Sequence, residues 1–159
     1  MAVSGHFQRD SLDQLLSDLN SLSLYESTPL HYAVLGGNEE TVRYLVGKGA
    51  HMNARNIFQE SSLHWACKVG DPSVVRFLLR HNATVTLDSE SNTPMHWAAE
   101  YDHAEVIFEL LQNGDGSSGV KNGYGQTPPQ IAEENKSKRA LEAIRKGKVF
   151  PRALSLESE

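Results

Sequence analysis

A six-residue phrase recurs through this chain of 159 residues at nearly constant spacing, and no other feature restricts its fold as tightly. Thr28-Pro29-Leu30-His31-Tyr32-Ala33, Ser61-Ser62-Leu63-His64-Trp65-Ala66 and Thr93-Pro94-Met95-His96-Trp97-Ala98 align residue for residue. Thr127-Pro128-Pro129-Gln130-Ile131-Ala132 is a degenerate fourth copy. Equivalent positions (30 to 63, 63 to 95, 95 to 129) stand 33, 32 and 34 residues apart. A second apolar pattern follows each phrase: Val42, Tyr44, Leu45; Val74, Val75, Phe77, Leu78; Val106, Ile107, Leu110, Leu111; and Ala140, Leu141, Ile144. Steps of three and four put these side chains on one face of a helix. Turn-formers separate phrase from pattern: Gly36-Gly37-Asn38, Gly70-Asp71-Pro72, and Asp102 with His103.

The residue choices have local reasons. Thr28 and Thr93 suit the N-cap, and Pro29 and Pro94 then fall at the first helical position, where a missing N–H costs nothing. Ala33, Ala66, Ala98 and Ala99 let neighbouring helices approach closely. Gly47 and Gly49, with Asn82 and Asn113 in their place, are expected as left-handed caps closing the second helices. A single helix pair cannot cover its own apolar face, so stability must come from stacking.

Phrase, period and second-helix pattern together resemble the ankyrin repeat family over about residues 24 to 146. The resemblance implies an all-α solenoid of four helix-turn-helix repeats, with a β-hairpin finger projecting from each junction. The repeats are expected at about 25–57, 58–90, 91–122 and 123–148, within a domain spanning 25–150. In the fourth copy the second helix, from Asn135 to Lys146, carries charge where an interior unit would bury carbon, so it reads as a C-terminal cap. Upstream, Leu12, Leu15, Leu16, Leu19 and Leu22 predict an amphipathic N-terminal cap helix within 1–24, and 151–159 reads as a flexible tail.

Composition excludes several classes. Fifteen basic against twenty acidic residues, a net charge of −5, argue against binding a nucleic-acid backbone. The one cysteine, Cys67, forbids an internal disulfide, and no apolar run is long enough to span a bilayer. With no basic-then-apolar leader at the start of the sequence, a cytoplasmic location, or also a nuclear one, is expected. Seven histidines suggest metal, but His31, His64 and His96 recur once per repeat, too far apart to share an ion at about 2.0–2.1 Å per ligand. Each ring is expected to hydrogen-bond within or between turns. Cys67 takes a small position beside Ala66 and reads as a buried, inert thiol. Gly114-Asp115-Gly116-Ser117-Ser118-Gly119 lacks the lysine of a phosphate loop and reads as a flexible insertion. No nucleophile, base or acid constellation emerges, so no catalytic residue, metal or cofactor is expected.

The surface remains. The resemblance implies that a protein partner is held by the finger tips and the exposed side of the first helices. Carried over by position, that face includes Tyr25 and Leu35; Ile57, Phe58, Glu60, Lys68 and Val69; Ser89, Glu90, Asn92, Glu100 and Tyr101; and Tyr124 with Glu134. The second finger departs from the family pattern, reading Asn56-Ile57-Phe58-Gln59 where polar residues and a glycine are usual. Two large apolar residues at a tip are what an interaction hot spot looks like; alternatively, Phe58 folds back onto the adjacent unit.

Three weaker signals complete the list. Leu12-Asp13-Gln14-Leu15-Leu16 has coactivator-helix spacing, and Leu16, Leu19, Leu22 and Leu24 match an export signal, though any leucine-rich cap produces both. Seven basic residues between 136 and 152 form either a docking patch or a solvated cap face. Arg152-Ala153-Leu154-Ser155 offers a basophilic kinase site. The sequence thus predicts a monomeric, non-catalytic protein-binding module: an adaptor, scaffold or inhibitor. The alternative is the N-terminal regulatory or targeting region of a larger enzyme, such as a kinase or acyltransferase.

Overall fold

The structure, a computed structural model, describes residues 25–149, with side chains through 147. The predicted N-terminal cap helix, its two leucine motifs, the tail at 151–159, the Ser155 site and the far end of the basic cluster lie outside the described residues. Within them are eight α-helices: α1 (Pro29–Leu35), α2 (Glu39–Gly47), α3 (Ser62–Val69), α4 (Pro72–Arg80), α5 (Pro94–Glu100), α6 (Ala104–Gln112), α7 (Pro128–Glu134) and α8 (Lys138–Val149). A short 3-10 turn, η1 (Ser117–Gly119), precedes α7. Odd-numbered helices pack on one another in sequence, and so do even-numbered ones, giving two stacked layers.

Each odd helix starts with the same device. The N-cap residue (Thr28, Ser61, Thr93 or Thr127) and the third helical residue (His31, His64, His96 or Gln130) form a capping box. The core between the layers is apolar: Leu30, Leu63 and Met95 from the first layer, and Val42, Val74, Leu78, Ile107, Leu110 and Ile144 from the second, are all at most 1% exposed. Ala66, Ala98 and Ala99 are fully buried, as their size suggested.

Three backbone positions in each of the first three units, and two in the fourth, take positive φ among the described residues. One follows the finger tip (Glu26, Gln59, Ser91, Gly125), one joins the two helices (Gly37, Gly70, Asp102, Lys136), and one ends the second helix (Gly49, Asn82, Gly114). Gly49 and Asn82 fill the expected capping role, but Asn113 does not: its φ is −92°, and the next residue, Gly114, turns left-handed instead. Gly47 is the last residue of α2. Gly114 to Gly119 is not a bare flexible insertion, for it winds into η1 and buries Ser117.

The fingers also differ from expectation. No strand forms among the described residues. Each finger is a five-residue turn (56–60, 88–92, 122–126) closed by one backbone bond between its ends: Asn56 N–H to Glu60, Asp88 N–H to Asn92, Asn122 N–H to Gln126. Within it Gln59, Ser91 or Gly125 N–H donates back to the carbonyl of the first residue, and a side chain does the rest. Asn56 Oδ1 accepts the amides of Phe58 and Glu60, each at 3.0 Å; Asp88 Oδ1 accepts those of Glu90 and Asn92; Asn122 Oδ1 accepts those of Tyr124 and Gln126. Holding the loop through a side chain leaves too few backbone pairs for a hairpin ladder. The expected repeat boundaries after 57, 90 and 122 cut through these turns.

Candidate protein-binding surface

The finger tips are joined into one edge by main-chain bonds. Ile57 N–H donates to Tyr25 O at 3.0 Å, Ser89 N–H to Phe58 O at 2.8 Å, and Gly123 N–H to Glu90 O at 2.7 Å. Imidazoles brace that edge from behind. Nδ1 of His31, His64 and His96 accepts the N-cap amide of its own helix, while Nε2 donates to the carbonyl of Glu60, Asn92 or Gln126 in the following finger. This pattern fixes the neutral Nε2–H tautomer in all three. Burial lowers each of their pKa values, with the carbonyl contacts opposing that shift.

On this scaffold Tyr25, Ile57, Phe58, Ser89, Glu90 and Tyr124 stand exposed at the tips. Phe58 packs on its neighbour without being covered by it. Its ring lies 5.5 Å from that of Tyr25, so it leans on the neighbouring unit, yet 45% of its surface stays open to solvent. Ile57 is equally open at 46%. Along the first helices Leu35, Lys68, Glu100, Tyr101 and Glu134 are exposed, and Val69 is half-buried. The Lys68 ammonium sits 4.8 Å from the centre of the Trp97 ring, and the Tyr101 ring lies nearly parallel to that ring with the centres 6.3 Å apart.

Among the named residues Glu60 is half-buried and Asn92 buried, each held by bonds within the fold. Glu60 accepts Trp65 Nε1–H at 2.8 Å and Asn56 Nδ2–H at 3.0 Å. Asn92 is only 7% exposed, and it bonds Asp88 through its amide NH2 and Asn122 through its carbonyl oxygen. It therefore sits between fingers rather than at the open face. Sequence reasoning missed the turn anchors Asn56, Asp88 and Asn122, although their shared offset before each capped helix was a readable signal.

The remaining chemistry is sparse. Cys67 is fully buried, and desolvation pushes its thiol pKa well up, the reverse of an activated nucleophile. Among the described residues no group of three or more histidine, cysteine or acidic side chains is placed to hold a metal. Asp115 is desolvated and its pKa raised; one oxygen accepts Ser117 N–H while the other has no partner. No helix among the described residues is long and apolar enough to cross a membrane.

Comparison with known proteins agrees with this architecture. The family described as "Ankyrin repeats (3 copies)" matches at residues 1–89, 46–122 and 63–149. Rabankyrin-5 of Mus musculus and Rabankyrin-5 of Homo sapiens are each 29% identical over 119 residues, 75% of this chain. That stretch is 7% of either relative's length. With the match extending from residue 1 to residue 149 and the same capped helix recurring down the stack, the chain belongs to the ankyrin repeat family.

Proposed function

We propose that this chain is a non-catalytic protein-binding module that presents its finger and first-helix face to a protein partner, as an adaptor, scaffold or inhibitor. Ankyrin repeats generally serve as protein-interaction modules, and the reading takes its specific support from Ile57 and Phe58. These are two large apolar side chains left open at the tip of a finger that hydrogen bonds hold rigid. Such a preorganised edge loses little conformational freedom when a partner docks. Counting each helix pair with its preceding finger as one repeat gives four, the last being the charged cap. We take the chain as a monomer in the cytoplasm or nucleus, with no nucleic-acid ligand, in keeping with its net charge of −5.

The test is capture of proteins from a cell lysate on the immobilised chain, beside an Ile57→Asp/Phe58→Asp variant shown by circular dichroism to keep its helicity. A protein retained by the wild type and lost from the variant supports the reading; equal recovery on both overturns the assignment of this face. A second reading is a regulatory or targeting ankyrin region of a larger protein, such as a kinase or acyltransferase. It is favoured by the small fraction of Rabankyrin-5 that the match covers. A transcript whose open frame runs past Glu159 into a catalytic sequence would establish it.

A further inference from the structure

Resting on that reading of the face, we infer the chemistry of its ligand: an extended peptide segment carrying a large apolar residue and, three or four positions away, an arginine or lysine. Two rows of equivalent positions carry the inference. The third residue of successive fingers is Tyr25, Phe58, Glu90 and Tyr124, and the eighth residue counted from each N-cap is Leu35, Lys68, Glu100 and Glu134. All eight are exposed. The finger row runs from Tyr25 and Phe58 to Glu90 and Tyr124, and the helix row from Leu35 through Lys68 to Glu100 and Glu134, so the carboxylates of both rows fall in the third and fourth units and the face has an apolar end and an anionic end.

The apolar end is continuous, because the Tyr25 and Phe58 rings touch at 5.5 Å with Ile57 beside them. At the other end Tyr124 donates its hydroxyl hydrogen to Glu90 at 3.2 Å, and that bond raises the phenol's pKa. A carboxylate beside an aromatic ring is a seat for a guanidinium, which can pair with one and stack on the other.

Charge distribution points the same way. Five ion pairs occur among the described residues, joining Glu39, Glu105, Glu109, Glu133 and Glu142 to Arg43, Arg139, Arg76, Arg145 and Lys146. Glu90, Glu100 and Glu134 take part in none of them. The chain's own cations thus neutralise carboxylates on the second-helix side and the cap, and leave the anionic end of the face for a partner. The single cation in these rows, Lys68, is held over Trp97 at 4.8 Å. Successive helices in such packing lie about 8–10 Å apart, and an extended chain advances roughly 3.3 Å per residue. One unit along the stack therefore matches about three residues of ligand, which sets the spacing between apolar anchor and cation.

The experiment is selection from a random linear peptide library on the whole chain, followed by affinity measurement of the enriched peptides. The proposal expects peptides pairing Leu, Ile, Phe or Trp with Arg or Lys three or four positions away, bound at least tenfold more weakly at high than at low salt. Phe58→Asp and the double reversal Glu90→Lys/Glu100→Lys should each cost tenfold or more. Peptides whose Arg is changed to Glu should regain binding to the double-reversal variant. Enriched peptides that lack the basic position, or that ignore the reversal, would overturn the ligand assignment. If Phe58→Asp still abolished their binding, the face itself would stand. A library yielding no enrichment overturns the ligand assignment as well, and the lysate capture then decides the face independently.

Discussion

The Nε2–H of His64 lies 3.1 Å from the carbonyl oxygen of Asn92, while Nδ1 of the same ring receives the amide of Ser61 at 3.1 Å. One neutral side chain, 1% exposed, thus closes its own helix and holds the next finger in place. Removing it empties a buried site, orphans the Ser61 amide and leaves Asn92 O with the Asp88 amide alone. His64→Ala is expected to cost about 2–4 kcal/mol of stability. Urea denaturation followed by circular dichroism measures it, and a loss below about 1 kcal/mol would mean the ring is not a structural brace.

All three imidazoles also make the array acid-sensitive. Burial lowers their pKa values in the folded chain, so below the ordinary histidine value of about 6.5 the unfolded chain binds protons that the fold refuses. Their stabilising contribution is full above that pH and is lost as pH falls through it toward the folded values. Glu39, Glu105 and Glu142 also have lowered pKa values, but they begin to lose their contribution only near the ordinary carboxylate range. A urea midpoint that drops between pH 7 and pH 5, and drops less in His64→Gln, is the expected pattern. A flat midpoint across that interval would contradict it.

Gly70 is the linker residue whose side chain is forbidden twice over. Its φ is +87°, and a Cβ there would fall 2.3 Å from the His103 ring, which itself donates Nε2–H to Lys68 O at 3.0 Å. Gly37 at the equivalent place has open space around it. Gly70→Ala should therefore lose more than the ~1–2 kcal/mol that left-handed backbone costs an ordinary residue, and Gly37→Ala should lose about that amount. Paired thermal melts compare the two, and equal losses would remove the steric role of His103.

Asn56 sets the shape of the apolar finger without touching a ligand. It is 2% exposed, and its Nδ2–H donates to Ser27 and Glu60 while its oxygen collects the two finger amides. Asn56→Ala is expected to cost about 1–3 kcal/mol and to accelerate hydrogen exchange at the Phe58 and Glu60 amides. Unchanged exchange at those amides would mean the finger holds its form without the side chain.

The helix pairs were legible in the sequence because caps and apolar spacing are local and repeat four times, three of them with a proline after the cap. Positions such as Leu63, Val74 and Ile107 fell where the pattern put them for that reason. The fingers were harder to read. Asn56, Asp88 and Asn122 are polar loop residues by composition, and only the geometry of the turn reveals that their side chains replace a strand ladder. Asn92 looked like surface for the same reason, since nothing local announces that Asn122 of the next unit covers it. The exposed tips were legible by contrast with the usual pattern, and their ordering into an apolar and an acidic end emerged only when the units were superposed.

The links made by His31, His64 and His96 all run one way, each ring reaching forward to the carbonyl of the unit after it. In the last described unit Gln130 stands in that place and bonds Thr127 of its own turn. If the first unit swings open, Glu60 O loses His31 but keeps the Asn56 amide, while Ile57 N–H loses Tyr25 O and Asn56 Nδ2–H loses Ser27. If the last unit swings open, His96 loses the acceptor for its Nε2–H. Opening at either extremity thus leaves an N–H on an inner unit without its acceptor, Ile57 at one end and His96 at the other. A partner therefore meets a tip row tied at both ends, Tyr25 to Ile57 and Glu90 to Gly123, with no loose lip at either.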